Sequence, residues 1–158
     1  MSDSARPAAD IPATEWRRFG ELSPPLLYRI LQFRQAVFVV EQNSAYADLD
    51  GLDAAARHLL LRLADELVGY LRLVPPAGPA GRVGIGRVAV APAWRRRGFA
   101  RLMMGKALRL AAEAYAGSEV LVSAQAYLAP FYEGLGFLPI SEPYDDFAVP
   151  HIDMRRPP

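Results

Sequence analysis

Apolar positions change their spacing along the chain, and each change marks an element. Leu27, Ile30, Leu31, Arg34, Val37 and Phe38 recur at helical spacing, which predicts a helix from 26 to about 38 with one mostly apolar face. Ser23-Pro24-Pro25 supplies its start, with serine as N-cap and proline in the first turn. Before it, Trp16 to Phe19 reads as a short strand. Residues 41–57 follow neither period and crowd Asp48, Asp50, Gly51 and Asp53 together, which predicts a loop. His58–Leu63 and Val68–Val74 are strand-like, and Asp65-Glu66 between them suits a tight hairpin. PPAGPAG (75–81) has the Pro/Gly density of an exposed turn, and Gly84–Ala91 is the next strand. Arg101–Ala116 is an amphipathic helix. Arg101, Gly105, Arg109 and Glu113 share its polar stripe, while Met103, Met104, Ala107, Leu108 and Ala111 line the other side. Val120–Val122 is a continuous apolar run of the kind found in buried parallel strands. A second helix is expected over 127–135, with Pro130 in its first turn. Strands at 137–140 and 151–155 close the chain.

This succession predicts a single α/β (α+β) domain. Strand 84–91, helix 101–116 and strand 120–124 form a right-handed crossover unit whose strands lie parallel. The length of 158 residues fits one domain. Residues 1–13, rich in Ala, Pro, Ser and Asp, read as a flexible tail, which leaves 14–158 as the domain. They lack the apolar segment of a secretory signal, and no window approaches a membrane span, so the expected address is the cytoplasm.

Composition narrows the chemistry. The absence of cysteine removes disulfides, thiolate metal sites and a cysteine nucleophile. Two histidines, His58 and His151, do not make a metal cage, so no metal is expected. The basic residues total 18, and Lys106 is the single lysine among them. The net charge is only +1, too small for a dedicated nucleic-acid binder, and no aromatic–basic alternation like that of an RNA-binding strand appears. The position of the arginines therefore matters more than their number.

They concentrate in Val88-Ala89-Val90-Ala91-Pro92-Ala93-Trp94-Arg95-Arg96-Arg97-Gly98-Phe99-Ala100-Arg101, where a strand ends, a loop turns and a helix begins. Pro92 ends the strand because it lacks an N–H, and Gly98 can take positive φ and admit a ligand to the backbone. A helix N-terminus offers free N–H groups and partial positive charge, a ready anion site. Four arginines at that end oppose the dipole, at a cost of about 0.3–1 kcal/mol each when exposed. A bound anion would offset that cost, and a pyrophosphate with a further phosphate nearby fits best. A lone glycine excludes the three-glycine dinucleotide fingerprint, and GxxxxGK[ST] is absent.

Arg95-x-x-Gly98-x-Ala100 resembles the [QR]-x-x-G-x-[GA] signature of the GCN5-related N-acetyltransferase superfamily, with Val88–Pro92 as the preceding strand. Phe131-Tyr132-Glu133-Gly134-Leu135-Gly136-Phe137 is similar to its second motif. Phe38–Gln42, Asp48-x-Asp50-Gly51-x-Asp53, Ala124–Leu128 and Pro150–Met154 resemble the ElaA-type branch, so the likeness covers roughly 16–156. It implies a mixed sheet with helices on both faces, in which two parallel strands splay apart and acetyl-CoA threads the gap. Main-chain groups of Val88, Ala89 and Val90 would then bond the acyl and pantetheine portion. The segment Arg95, Arg96, Arg97, Gly98, Phe99, Ala100 and Arg101 would hold the phosphates, and Gln125 would join the cofactor side. Tyr132 would protonate the leaving CoA sulfur. On spacing alone Tyr132 also fits core packing with Leu128, Phe131 and Leu135.

The acceptor amine must lose a proton, since an ordinary alkyl ammonium has a pKa near ~10.4. Candidate bases are Glu41, Asp48, Asp50, Asp53, His58, Glu142 and His151, of which Glu41 and His151 are placed on the acceptor side. Arg87 stands where many members of the superfamily carry an acidic residue. The aspartates at 48–53 lack the twelfth-position glutamate and helical flanks of a calcium loop, so they are expected to cap turns or face a cationic acceptor. The reading is therefore direct acyl transfer from acetyl-CoA to a small-molecule or protein amine, by a monomer or homodimer. Arg34-x-x-Val37-Phe38 and the acidic loop also resemble the N-terminal region of acyl-homoserine-lactone synthases, a second enzymatic reading. A non-catalytic acyl-CoA-binding module would be expected to lack Tyr132.

Overall fold

A computed structural model of the protein describes residues 11–158. A mixed eight-stranded sheet runs in the order β1 (Ala13–Arg18), β2 (Arg57–Leu63), β3 (Glu66–Val74), β4 (Val83–Val90), β5 (Val120–Gln125), β8 (Val149–Arg156) and β6 (Leu138–Pro139), and the short β7 (Tyr144–Asp146) also pairs with β8. Helices α1 (Pro24–Arg34) and α2 (Phe99–Ala114) cover opposite faces, and α3 (Ala129–Glu133) follows β5. The expected tail lies outside the described residues except for Ile11, Pro12 and Ala13, and Ala13 already pairs with Arg62 as the first residue of β1.

The two faces follow from alternation along β2. Leu59, Leu61 and Leu63 join Met103, Met104, Ala107 and Ala111 of α2 in the larger core. Leu60 points the other way and packs with Tyr70, Leu22 and Ile30 beneath α1. Helix α1 starts as its sequence demands, with Ser23 Oγ accepting from the Leu26 N–H at 3.3 Å and two prolines in the first turn. It does not stop near 38. It widens into a π-helical turn over Gln35–Glu41, a winding frequent at functional sites.

Other boundaries move for local reasons. Phe19 opens a 3-10 turn instead of ending β1. The helix expected over 127–135 is a 3-10 turn at Ala126–Leu128 followed by one α turn. The 137–140 strand shrinks to Leu138–Pro139. Strand β7, three polar or aromatic residues long, carries no periodicity to predict it.

The parallel strands β4 and β5 pair only at Val83–Val120 and Gly84–Leu121. Beyond Gly84 they separate. On its other edge β4 bulges, since its register with β3 jumps between Arg72–Gly86 and Tyr70–Ala89. Arg87, inside the bulge, takes φ +54. Bulges bend and twist the strand that carries them. The end of β4 therefore leaves the β5 ladder with an unpaired edge, and the expected splay is present.

Candidate active site

The parting of β4 and β5 opens a cleft of about 840 Å³. Its walls come from the end of β4, the start of α2, the end of β5, α3, the π-helical turn and the 146–151 segment. Of the residues singled out in the sequence, Glu41, Val88, Ala89, Val90, Arg95, Arg96, Gly98, Phe99, Ala100, Arg101, Gln125, Tyr132 and His151 line it. Arg97 does not; its guanidinium lies 4.6 Å from the Trp94 ring centroid.

At one end the wall is a helix start without a cap. Gly98 is the N-cap of α2 at φ +79, where no side chain can cap the helix, and the first turn holds no acidic residue. A Cβ at Gly98 would meet nothing within 4 Å, so the glycine is needed for its backbone conformation and leaves open space above it. Arg96 is also left-handed, at φ +62. Turns of this kind gather successive N–H groups into an anion-binding concavity, and the helix dipole adds to it. Among the described residues, Arg96, Arg97 and Arg101 form no ion pair with a carboxylate, although Arg101 lies 5.9 Å over Phe131.

Arg95 departs from the expected phosphate role. Its Nε donates to the Val90 carbonyl at 2.9 Å, and its two terminal nitrogens donate to Glu41 at 2.5 and 2.8 Å. Its side chain is a strut that ties the loop to β4 and to the π-helical turn. The Val90 carbonyl is correspondingly already hydrogen-bonded. Glu41 is corrected in the same way as a base: the guanidinium hydrogen bonds hold its carboxyl below the usual range, so it is a weak proton acceptor. It remains part of the cleft wall.

Tyr132 sits at the cleft with only 7% exposure, edge-on to both Phe131 and Phe137. Burial, with a smaller contribution from Tyr127, pushes its phenol up to about 12. It therefore stays protonated at neutral pH. The ring packs in the core, as its spacing alone allows, and the residue also borders the cleft.

The acidic loop meets one of its two expected roles, since Asp50 Oδ1 caps a turn by accepting from the Leu52 N–H at 3.1 Å. Asp48, Asp50 and Asp53 are also closed against three arginines, a pairing not expected from the sequence. Arg34, fully buried in α1, donates to Asp48 Oδ2 at 2.9 Å and to Asp53 Oδ1 at 2.7 Å. Arg72 of β3 grips Asp50 through two bonds of 2.8 and 2.6 Å and also reaches Asp53 at 3.0 Å. Arg87 donates to Asp48 Oδ1 at 2.7 Å, and Tyr46 adds its hydroxyl to the same oxygen at 3.1 Å. The hydrogen bonds from Arg72 hold Asp50 well below the usual carboxylate range. Burial would raise Asp53, but the bonds from Arg34 and Arg72 outweigh it and lower the carboxyl. Asp50 and Asp53 are therefore weak proton acceptors. Arg34 was the signal in the sequence, since an arginine on an apolar helical stripe needs a buried partner.

His58 is removed as well. It is 1% exposed, its Nε2 donates to the Asp53 carbonyl at 2.9 Å, and Nδ1 accepts from the Tyr70 hydroxyl at 2.7 Å. Burial lowers its pKa and keeps it neutral. Glu142 is exposed and stands outside the cleft. His151 is the histidine that borders the cleft. Its Nδ1 lies 2.8 Å from the Val149 carbonyl, which only accepts, so the neutral ring carries its proton there and keeps the Nε2 lone pair. The ring stacks on Tyr144, whose hydroxyl donates to Asp153 at 2.6 Å and meets Ser123 Oγ at 2.6 Å. Among the described residues, no three His, Asp or Glu side chains converge as a metal site, and no helix is long and apolar enough to cross a membrane.

This fold has known counterparts. The family model of the acetyltransferase (GNAT) domain matches residues 29–157. Protein ElaA of Escherichia coli is 41% identical over 146 residues, 90% of this chain and 95% of the relative. The crystal structure of that protein superposes with a TM-score of 0.88 at 39% identity, covering 92% of this chain and 99% of the other. A crystal structure described as an acyl-CoA N-acyltransferase from Pseudomonas aeruginosa gives a TM-score of 0.87 at 37% identity, over 92% and 99% of the two chains.

Proposed function

This chain belongs to the acetyltransferase (GNAT) domain family, and from that premise we propose that it transfers an acetyl group from acetyl-CoA directly to an amine in a ternary complex. The reading rests above all on one observation: β4 and β5 part beside an uncapped, cation-rich helix start. The description of the Pseudomonas aeruginosa counterpart points the same way. In this assignment the amides from Arg96 to Arg101 bind the pyrophosphate, and the Arg96 and Arg101 side chains meet the phosphates. Charge-assisted hydrogen bonds of that type contribute about 1.5–3 kcal/mol each. The pantetheine arm runs along the unpaired edge of β4 at Val88, Ala89 and Val90, with Gln125 on the facing strand. Its thioester then lies in the parting, near Tyr132.

His151 takes one proton from the ammonium of the acceptor through its Nε2 lone pair. The amine nitrogen forms its bond to the thioester carbon and the carbon–sulfur bond breaks. The departing thiolate takes the Tyr132 proton. The second proton of the acylated nitrogen restores the phenol, His151 releases its own to solvent, and the net products are the amide, CoA thiol and one H⁺. No covalent enzyme intermediate is needed, in keeping with a chain that has no cysteine.

Millimolar acetyl-CoA should raise Tm, because a ligand that binds only the folded state stabilises it by mass action. The absence of any shift would remove the cofactor assignment. Thiol release from acetyl-CoA against a panel of primary amines should fall about 10²-fold or more in Tyr132→Phe, with the acetyl-CoA shift in Tm retained. Equal turnover in that variant would return Tyr132 to packing alone.

A further inference from the structure

We propose that the acceptor is a primary amine with an apolar body and no carboxylate, its ammonium beside Asp146 and His151 and its body against Tyr46 and Phe147. This assignment rests on the transferase reading and adds the substrate class.

The charges on the acceptor wall carry the first half. Apart from the 95–101 segment, Arg87 is the guanidinium that lines the cleft. Its charge is already paired: Nε donates to Asp48 Oδ1 at 2.7 Å, Nη2 donates to the Asp48 carbonyl at 2.9 Å and to Asp50 Oδ2 at 3.4 Å, and its Cζ lies 5.5 Å from the Tyr46 ring centroid. Arg95 is closed by Glu41 in the same way. Among the described residues, then, each cation at this end is already matched by a carboxylate of the chain. An amino acid bound here would carry an unpaired charge out of water. Asp146 is in the opposite state. It lines the cleft, its side chain is 46% exposed, and its ionic contact among the described residues is with His151 Nδ1 at 3.9 Å. It offers an incoming ammonium a partner. Tyr144 stacks on the same ring, and Asp153 lies two residues along β8 with its carboxylate bonded to Tyr144.

The turn between β7 and β8 carries the second half. Asp146 pairs with Val149, so only Phe147 and Ala148 close the hairpin, at φ +51 and +66. Two left-handed residues in a two-residue loop are the signature of a type I′ turn, where Asn-Gly or Asp-Gly is preferred. This chain places a phenylalanine and an alanine there instead. Phe147 is 57% exposed and its ring lies 5.8 Å from the Tyr46 ring, while its carbonyl accepts from Ser44 Oγ at 3.4 Å. A strained turn thus presents an exposed aromatic wall to the cleft, beside a carboxylate. Aromatic faces bind apolar groups and attract ammonium, and neither property favours a carboxylate.

The test compares matched acceptors with the full chain at saturating acetyl-CoA. Tyramine is set against tyrosine, and phenethylamine against phenylalanine, by kcat/KM for thiol release. The amines should be preferred by about tenfold or more. Asp146→Asn should raise KM for the amines and narrow that gap. Phe147→Asn with Ala148→Gly keeps the turn in residues that favour it and should raise KM for phenethylamine severalfold while kcat holds. Amino acids used as well as their amines would overturn the assignment. So would failure to use any of these amines by a protein that acetyl-CoA still stabilises. Loss of that stabilisation itself would overturn the transferase reading and this assignment together.

Discussion

Two groups of arginines in this molecule have the same chemistry and opposite circumstances. Arg34, Arg72 and Arg87 come from α1, β3 and β4, and each is closed by carboxylates of one loop before any ligand arrives. Arg96, Arg97 and Arg101 crowd a helix start and have no carboxylate partner among the described residues. The first group organises the protein. Between Asn43 and Ala56 the chain has little regular structure beyond a 3-10 turn at Asp53–Ala55, so the ion pairs are what hold that loop against the sheet. The second group is poised for something outside the chain. Arg95 stands between them, with its backbone in the open loop and its side chain closed on Glu41. The lesson is that counting charges says little about ligands; counting unpaired charges says more.

The largest effect that would test this contrast is on stability. Arg34→Met should destabilise the fold by about 3–5 kcal/mol, because it leaves Asp48 and Asp53 short of a buried partner. Arg101→Ala should shift stability by no more than about 1 kcal/mol, since removing a cation from a helix start relieves the dipole while losing a contact with Phe131. Urea unfolding of both variants decides the matter. Similar losses in the two would abolish the distinction between the groups.

Next in size is the ligand response. Gly98→Glu places a side chain and a negative charge where φ is +79, and should abolish stabilisation by acetyl-CoA. At a hundredfold excess over Kd that stabilisation amounts to about 2.7 kcal/mol. A Tm shift that survives the substitution would move the phosphates away from this loop.

Gly98 was legible in the sequence for a physical reason: strand, glycine turn and amphipathic helix are contiguous, so local periodicity exposes them. The parallel strands were readable on similar grounds, whereas Tyr132 came from the family resemblance, since its spacing alone fits core packing. The ion pairs were not. Arg34 meets Asp48 and Asp53 across 14 and 19 residues, Arg87 meets Asp48 across 39, and Arg95 meets Glu41 across 54. No repeat or spacing rule links such positions; only the folded sheet brings them together. The bulge at Arg87 was hidden likewise, because it is a mismatch of register between two strands.

A smaller, graded effect comes from acid. Asp50, Asp53 and His58 all have lowered pKa values in the folded chain, the first by the Arg72 hydrogen bonds, the second by those of Arg34 and Arg72, the third by burial. The unfolded chain therefore binds more protons as pH falls, and stability must fall with it. The decline should begin below about pH 6.5 as His58 contributes, and steepen below about pH 4 as the aspartates do. The open cluster contains only arginines and so has no carboxylate to protonate. His58→Gln should flatten the upper part of the profile. A Tm constant from pH 7 down to about pH 2 would show that the closed cluster does not bear on stability.

The smallest expected effect separates two neighbours inside the open cluster. Arg97 lies over Trp94, whose Nε1 donates to Glu66 at 3.3 Å, and its side chain is absent from the cleft wall. Arg97→Ala should cost about 0.5–1 kcal/mol of stability, the worth of an exposed cation–π contact. It should weaken acetyl-CoA by less than about threefold, the reach of a screened surface charge. Arg96→Ala removes a guanidinium from the cleft wall and should weaken acetyl-CoA by more than tenfold, since a charge-assisted bond of about 1.5–3 kcal/mol is lost. Isothermal titration of both variants gives the ratio. If the two lose affinity equally, the Arg97 side chain leaves Trp94 for the phosphate on binding, and the open cluster works with three cations in place of two.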